Sequence, residues 1–156
     1  MKRIPFIIVV MLLAFNNGIK AQEQTDSDKL TAYKIAFFTK KLDLTPAEAE
    51  KFWPVYNDYS ARKSKIQVER ITTMRYINQN ELNITDQEMA SMAGKLSQSY
   101  IDESNLTITF TGQIEKVLTP RKVVRLYQAE AQYKLHLLKE LNERRQQGGA
   151  RQFKQR

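Results

Sequence analysis

Thr45-Pro46-Ala47-Glu48 is the sharpest instruction in this chain. It supplies a hydroxyl to cap an orphan amide and a proline at a first helical position that needs no N–H. A glutamate stands three residues after the cap, where it can reach back. Thr85-Asp86-Gln87-Glu88 repeats the box, and Leu118-Thr119-Pro120 repeats the proline-led opening. Three helix starts at fixed places leave little freedom for anything but an all-α fold.

The stretches between these starts carry helical periodicity. A first helix is predicted from near Asp28 to about Lys41, on Leu30, Tyr33, Ile35, Phe37, Phe38 and Leu42. A second, long helix follows Thr45 on Ala49, Phe52, Tyr56, Tyr59 and Ile66, drifting to Ile71, Met74 and Ile77. Pro54 lies inside it and predicts a kink, because it removes a backbone donor and crowds the Glu50 carbonyl. Asn78 to Ile84 reads as a connection. The third helix runs from Thr85 on Met89, Met92, Leu96, Tyr100, Leu106, Phe110, Ile114 and Val117. Thr107, Thr109, Thr111 and Gly112 weaken this stripe in its middle and the threonines favour strand locally, yet a short strand with no partner is not stable, so helix is retained. The fourth helix follows Thr119 on Val123, Val124, Leu126, Tyr127, Ala131, Leu135, Leu138 and Leu141, and is expected to fade at Gly148-Gly149. A helical domain is thus predicted over 28–147, with a loose 22–27 before it and a disordered basic tail over 148–156.

Lys2 and Arg3 precede an apolar run from Ile4 to Phe15, and Ala21 closes a polar stretch, which is the layout of a secretory signal peptide over 1–21. The run falls short of the roughly 18 apolar residues a spanning helix needs. A retained signal anchor is the alternative. With cleavage before Gln22, 135 of the 156 residues remain, enough for one domain, and 22 basic against 17 acidic residues leave a net charge of +5. The chain has no cysteine, which excludes disulfides, thiol catalysis, thiolate metal sites and a lipoprotein anchor, so stability must come from helix packing or association. A Gram-negative periplasm is the expected compartment.

Laying Leu44-Thr45-Pro46 over Leu118-Thr119-Pro120 brings Lys51 onto Arg125, Phe52 onto Leu126 and Trp53 onto Tyr127. Paired Leu-Thr openings behind a signal peptide resemble the Spy/CpxP family of periplasmic stress proteins, known for twin Leu-Thr-x-x-Gln motifs. Lys41-Leu42-Asp43-Leu44-Thr45-Pro46 followed by Phe52-Trp53-Pro54-Val55-Tyr56 looks like its Bacteroidetes branch, often labelled a sensor of an extracytoplasmic-function sigma factor. The chain departs from the motif where glutamine is usual, with Glu48 and Lys122. Glu48 still closes a capping box; Lys122 puts positive charge near a helix N-terminus, where the macrodipole disfavours it. The resemblance implies a four-helix protomer with long kinked helices, paired antiparallel with a second copy into a curved cradle with a basic concave face. It also implies an ATP-independent chaperone or a stress-signalling adaptor. It assigns Leu44, Thr45, Pro46, Leu118, Thr119 and Pro120 to helix geometry and not to a ligand.

No constellation for catalysis is present. His136 is the only histidine, between Leu135 and Leu137, and Glu48, Glu50, Asp58, Asp102 and Glu103 read as solvated helix positions. A metal has no Cys or His-rich tract to hold it, although some relatives are metal-responsive, so a heavy-metal sensor is the third reading. No cofactor is expected. Phe52, Trp53, Tyr56 and Tyr59 form either core or a client-gripping or dimer patch. Tyr133 and Leu137 lie off the main stripe of the fourth helix and point to a partner such as a second copy.

Cations gather at Arg62, Lys63 and Lys65, at Arg121, Lys122 and Arg125, and at Arg144 and Arg145. They fit capture of acidic, partly unfolded proteins, or binding to the outer part of a membrane stress sensor in a signalling regulator. Export separates the chain from nucleic acid. The Arg-rich tail allows a weak membrane-surface contact.

Overall fold

A computed structural model describes residues 28–153, with side chains to 146. The signal-peptide segment 1–21, the segment 22–27 and the end of the basic tail lie outside the described residues. The described chain is all α-helical, with no strand. Residues 28–42 form α1, Pro46–Asn80 α2, Asp86–Ile114 α3 and Pro120–Phe153 α4. A short 3-10 turn, Glu81–Asn83, joins α2 to α3.

Each helix boundary has a local cause. Asp43 takes φ 50°, a left-handed conformation that ends α1, and its N–H bonds the Lys40 carbonyl at 3.3 Å. Both predicted capping boxes form: the Thr45 and Thr85 hydroxyls accept from the amides of Glu48 and Glu88, whose carboxylates accept from the amides of Thr45 and Thr85. α2 continues through Pro54. In α3, Thr107, Thr109 and Thr111 donate to the carbonyls of Glu103, Asn105 and Thr107, so their hydroxyls are spent inside the helix and the strand tendency is overridden. α3 stops at Ile114, three residues before Val117. Leu118 is buried in the turn that follows. α4 runs to Phe153, past the Gly148-Gly149 pair at which the sequence pattern predicts an end. Once a helix is long, adding a residue needs no new nucleus, and each glycine costs only about 1 kcal/mol relative to alanine.

The described residues group into two compact units, residues 44–127, and residues 28–43 together with 128–153. In the first, α2 and α3 run antiparallel: Tyr59 bonds Thr107, Gln67 bonds Glu103 and Arg70 bonds Ser99. Its core holds Phe52, Tyr56, Tyr59, Leu106, Phe110, Ile114, Leu118, Val123 and Leu126. Tyr59 stacks on Phe110 with ring centroids 3.9 Å apart, and Tyr56 meets Phe110 edge-on. In the second unit, Phe38, Leu42 and Ala129 are buried, and Tyr133 of α4 packs against Tyr33, Phe37 and Phe38 of α1.

Candidate functional site

The twin helix starts are brought together. Leu44 and Leu118 stand just ahead of α2 and α4, and Pro46 and Pro120 each occupy the first helical position. Val123 donates to the Thr119 carbonyl at 3.0 Å to open α4. Lys122 Nζ then reaches Glu48 Oε2 at 2.7 Å, while the same oxygen accepts the Thr45 amide at 2.8 Å. The Lys122 hydrogen bond, then the Thr45 amide, hold the Glu48 carboxyl below the usual glutamate range. The two positions that depart from glutamine are therefore partners. The charge that looked misplaced at the start of α4 is answered by Glu48.

Glu48 and Glu103 are not the solvated positions their sequence context predicts. Arg70 Nη2 lies 2.7 Å from Glu103 Oε2, with the two side chains 11% and 20% exposed. Arg70 also bonds the Ser99 hydroxyl and carbonyl, and its guanidinium lies 3.8 Å over the Tyr100 ring. Partial burial works against ionisation of Glu103, but hydrogen bonds from Arg70 and Gln67, with the charges of Arg70 and Lys63, outweigh it and pull the carboxyl down. Beside this clamp lies an open groove of about 310 Å³, lined by Glu69, Arg70, Thr73, Lys95, Leu96 and Ser99 among others. Sequence reasoning missed Arg70; its place on the inward α2 stripe between Ile66 and Thr73 was the available signal.

The aromatic candidates separate. Phe52, Tyr56 and Tyr59 are buried, which removes them from any client surface as the fold stands; Tyr56 and Tyr59 are set against Phe110 of α3, and Phe52 stacks on Tyr56. Trp53 is half-buried against Phe52 and Tyr56. Tyr133 leaves the main α4 stripe because α1 lies against it, so a second copy is not needed to cover it; Leu137 is half-buried. Burial raises the Tyr133 hydroxyl pKa, with Tyr33 and Glu140 adding to the effect. His136 stacks on Tyr33 and sits 3.3 Å from Glu140.

Arg62, Lys65, Arg121 and Arg125 are exposed, and Arg62 lies 3.6 Å from Asp58. On the α2–α3 hairpin, which carries Arg62 and Lys65, Val68, Ile71, Ile101 and Ile108 present large apolar side chains to solvent, Ile108 with 68% of its surface free. Leu82, at the hairpin tip, is 99% exposed.

Among the described residues no group of three or more His, Cys, Asp or Glu could hold a metal ion, and no buried side-chain polar atom lacks a hydrogen-bond partner. No described helix is long and apolar enough to cross a membrane. No protein-family model, curated protein or solved structure matches the chain.

Proposed function

We propose that this chain is an exported, non-enzymatic binding protein of Spy/CpxP type, which holds acidic, partly unfolded polypeptides without nucleotide and works as a pair of copies. The observation that carries the reading is the α2–α3 hairpin surface, where exposed Val68, Ile71, Ile101 and Ile108 share the hairpin with exposed Arg62, Lys65 and Arg75. Cations speed encounter with an acidic chain, and scattered apolar side chains then hold it weakly enough to let go. The family part of the reading rests on the paired Leu-Thr-Pro helix starts at Leu44 and Leu118, from whose motif Glu48 and Lys122 depart. In the test, the chain from Gln22 onward is mixed with a denatured client and scattering is followed. Suppressed aggregation without nucleotide, stronger at low salt, is the expected result. No suppression at several-fold excess removes the reading.

A second reading, an adaptor for the outer part of a membrane stress sensor, is favoured by Leu82. One fully exposed leucine between Glu81 and Asp86 at the tip of a long hairpin is apolar surface that a receptor would cover. Under this reading, Leu82→Ser abolishes the envelope-stress transcriptional response and leaves client protection intact. An unchanged response rejects it.

A further inference from the structure

The part of α4 from residue 128 onward is apolar on two faces. At 3.6 residues per turn, Ala129, Tyr133 and Leu137 share the face turned to α1. Ala131, Leu135 and Leu138 project from the opposite side, Asn142 continues their line, and Leu141 is set apart from them beyond Lys134 and Arg145. Leu135, Leu138 and Leu141 are 67%, 49% and 54% exposed. Lys134 and Arg145 border this second stripe on one edge and Lys139 on the other. The acids are turned elsewhere: Glu130 interacts with Lys34 of α1, and Glu140 lies near His136 and Arg144. Glu143, on the Lys139 edge, sits 3.8 Å from Lys139. After Glu143 the sequence adds Arg144, Arg145, Arg151, Lys154 and Arg156 and no acid at all.

We propose that this outward stripe of α4 docks on an anionic lipid surface, lying in the interface with its leucines in the acyl boundary and its flanking cations on the headgroups. An amphipathic face bordered by Lys and Arg and followed by a polybasic segment gives the two signals that reversible membrane attachment needs. A second copy is a poor cover, because antiparallel pairing of the stripe with itself sets Lys134 and Arg145 of both copies in one seam, where the nearest acid, Glu130, already interacts with Lys34. An acidic protein groove is less well matched, since from Ala131 onward the apolar residues of the stripe are only alanine and leucine, without the aromatic or arginine anchors that such pockets favour. The site is separate from the hairpin surface of the client reading.

The test is co-sedimentation of the chain from Gln22 onward, which keeps every described residue and omits the apolar run Ile4 to Phe15. The vesicles are phosphatidylcholine alone or phosphatidylcholine with one-third phosphatidylglycerol. Binding to the anionic vesicles on the order of tenfold stronger is expected. Leu135→Gln/Leu138→Gln should lose on the order of tenfold of it. Lys134→Gln/Arg145→Gln should erase most of the lipid preference. All four side chains are exposed, so both variants should keep the native helical circular dichroism. Equal binding to both vesicles, no binding, or full binding by the leucine variant overturns the proposal. So does a dimer that the leucine variant splits, or capture by polyglutamate in place of vesicles. Loss of vesicle binding with client protection intact would fail this inference alone.

Discussion

Lys122 and Glu48, 74 positions apart, meet at 2.7 Å where α2 and α4 begin. The contact joins one helix start to the other and neutralises a cation that the α4 dipole would otherwise oppose. A double-mutant cycle measures it. Glu48→Gln and Lys122→Gln should each lower the denaturant midpoint. The double variant should lose less than the two losses combined, because glutamine at both positions restores a neutral pair. Additive losses would mean that the two groups act independently.

Arg70 and Glu103 form the clamp across α2 and α3. Glu103→Gln leaves the guanidinium with a neutral partner in a mostly covered site and should cost about 1.5–3 kcal/mol in urea unfolding. Gln67→Ala, which removes a single neutral donor to the same carboxylate, should cost less.

Acid should weaken the fold with a defined sign. Glu48, Glu88 and Glu103 are all held below the ordinary glutamate range: Glu48 chiefly by the Lys122 hydrogen bond, Glu88 by the Thr85 amide, and Glu103 by Arg70 and Gln67 against an opposing burial effect. A depressed carboxyl stabilises the fold above its unfolded pKa and ceases to do so as pH falls through its folded value. Stability should therefore be level above about pH 5 and fall below about pH 4. Glu103→Gln should flatten that acid limb in thermal melts taken across this range.

Phe110 is the centre of the aromatic core, touching Tyr56 and Tyr59. Phe110→Ala should cost about 3–5 kcal/mol by equilibrium unfolding, through lost burial and the cavity left behind. Thr85→Ala, which removes only an exposed cap, should cost about 1 kcal/mol.

How much of this was legible in the sequence depended on range. The capping boxes at Thr45 and Thr85 act within one turn, so four residues were enough to place α2 and α3. The threonines of α3 satisfy their hydroxyls four residues back, which is why a strand-favouring composition still folds as helix. What the sequence hid was pairing. Lys122 read as a liability and Glu103 as a solvated acid, since nothing local names a partner 74 or 33 positions away. Tyr133 read as surplus apolar surface because its cover, α1, lies almost a hundred positions earlier.

In the proposed function the α2–α3 hairpin holds client chains by exposed apolar side chains set among cations. Ile101→Ser/Ile108→Ser tests it most directly, because both residues face solvent and their replacement leaves the core untouched. In a scattering assay of a denatured client without nucleotide, the unaltered chain should suppress aggregation and the double variant should lose most of that suppression while keeping its native helix signal and melting temperature. Full protection by the double variant would mean that this hairpin surface does not hold the client.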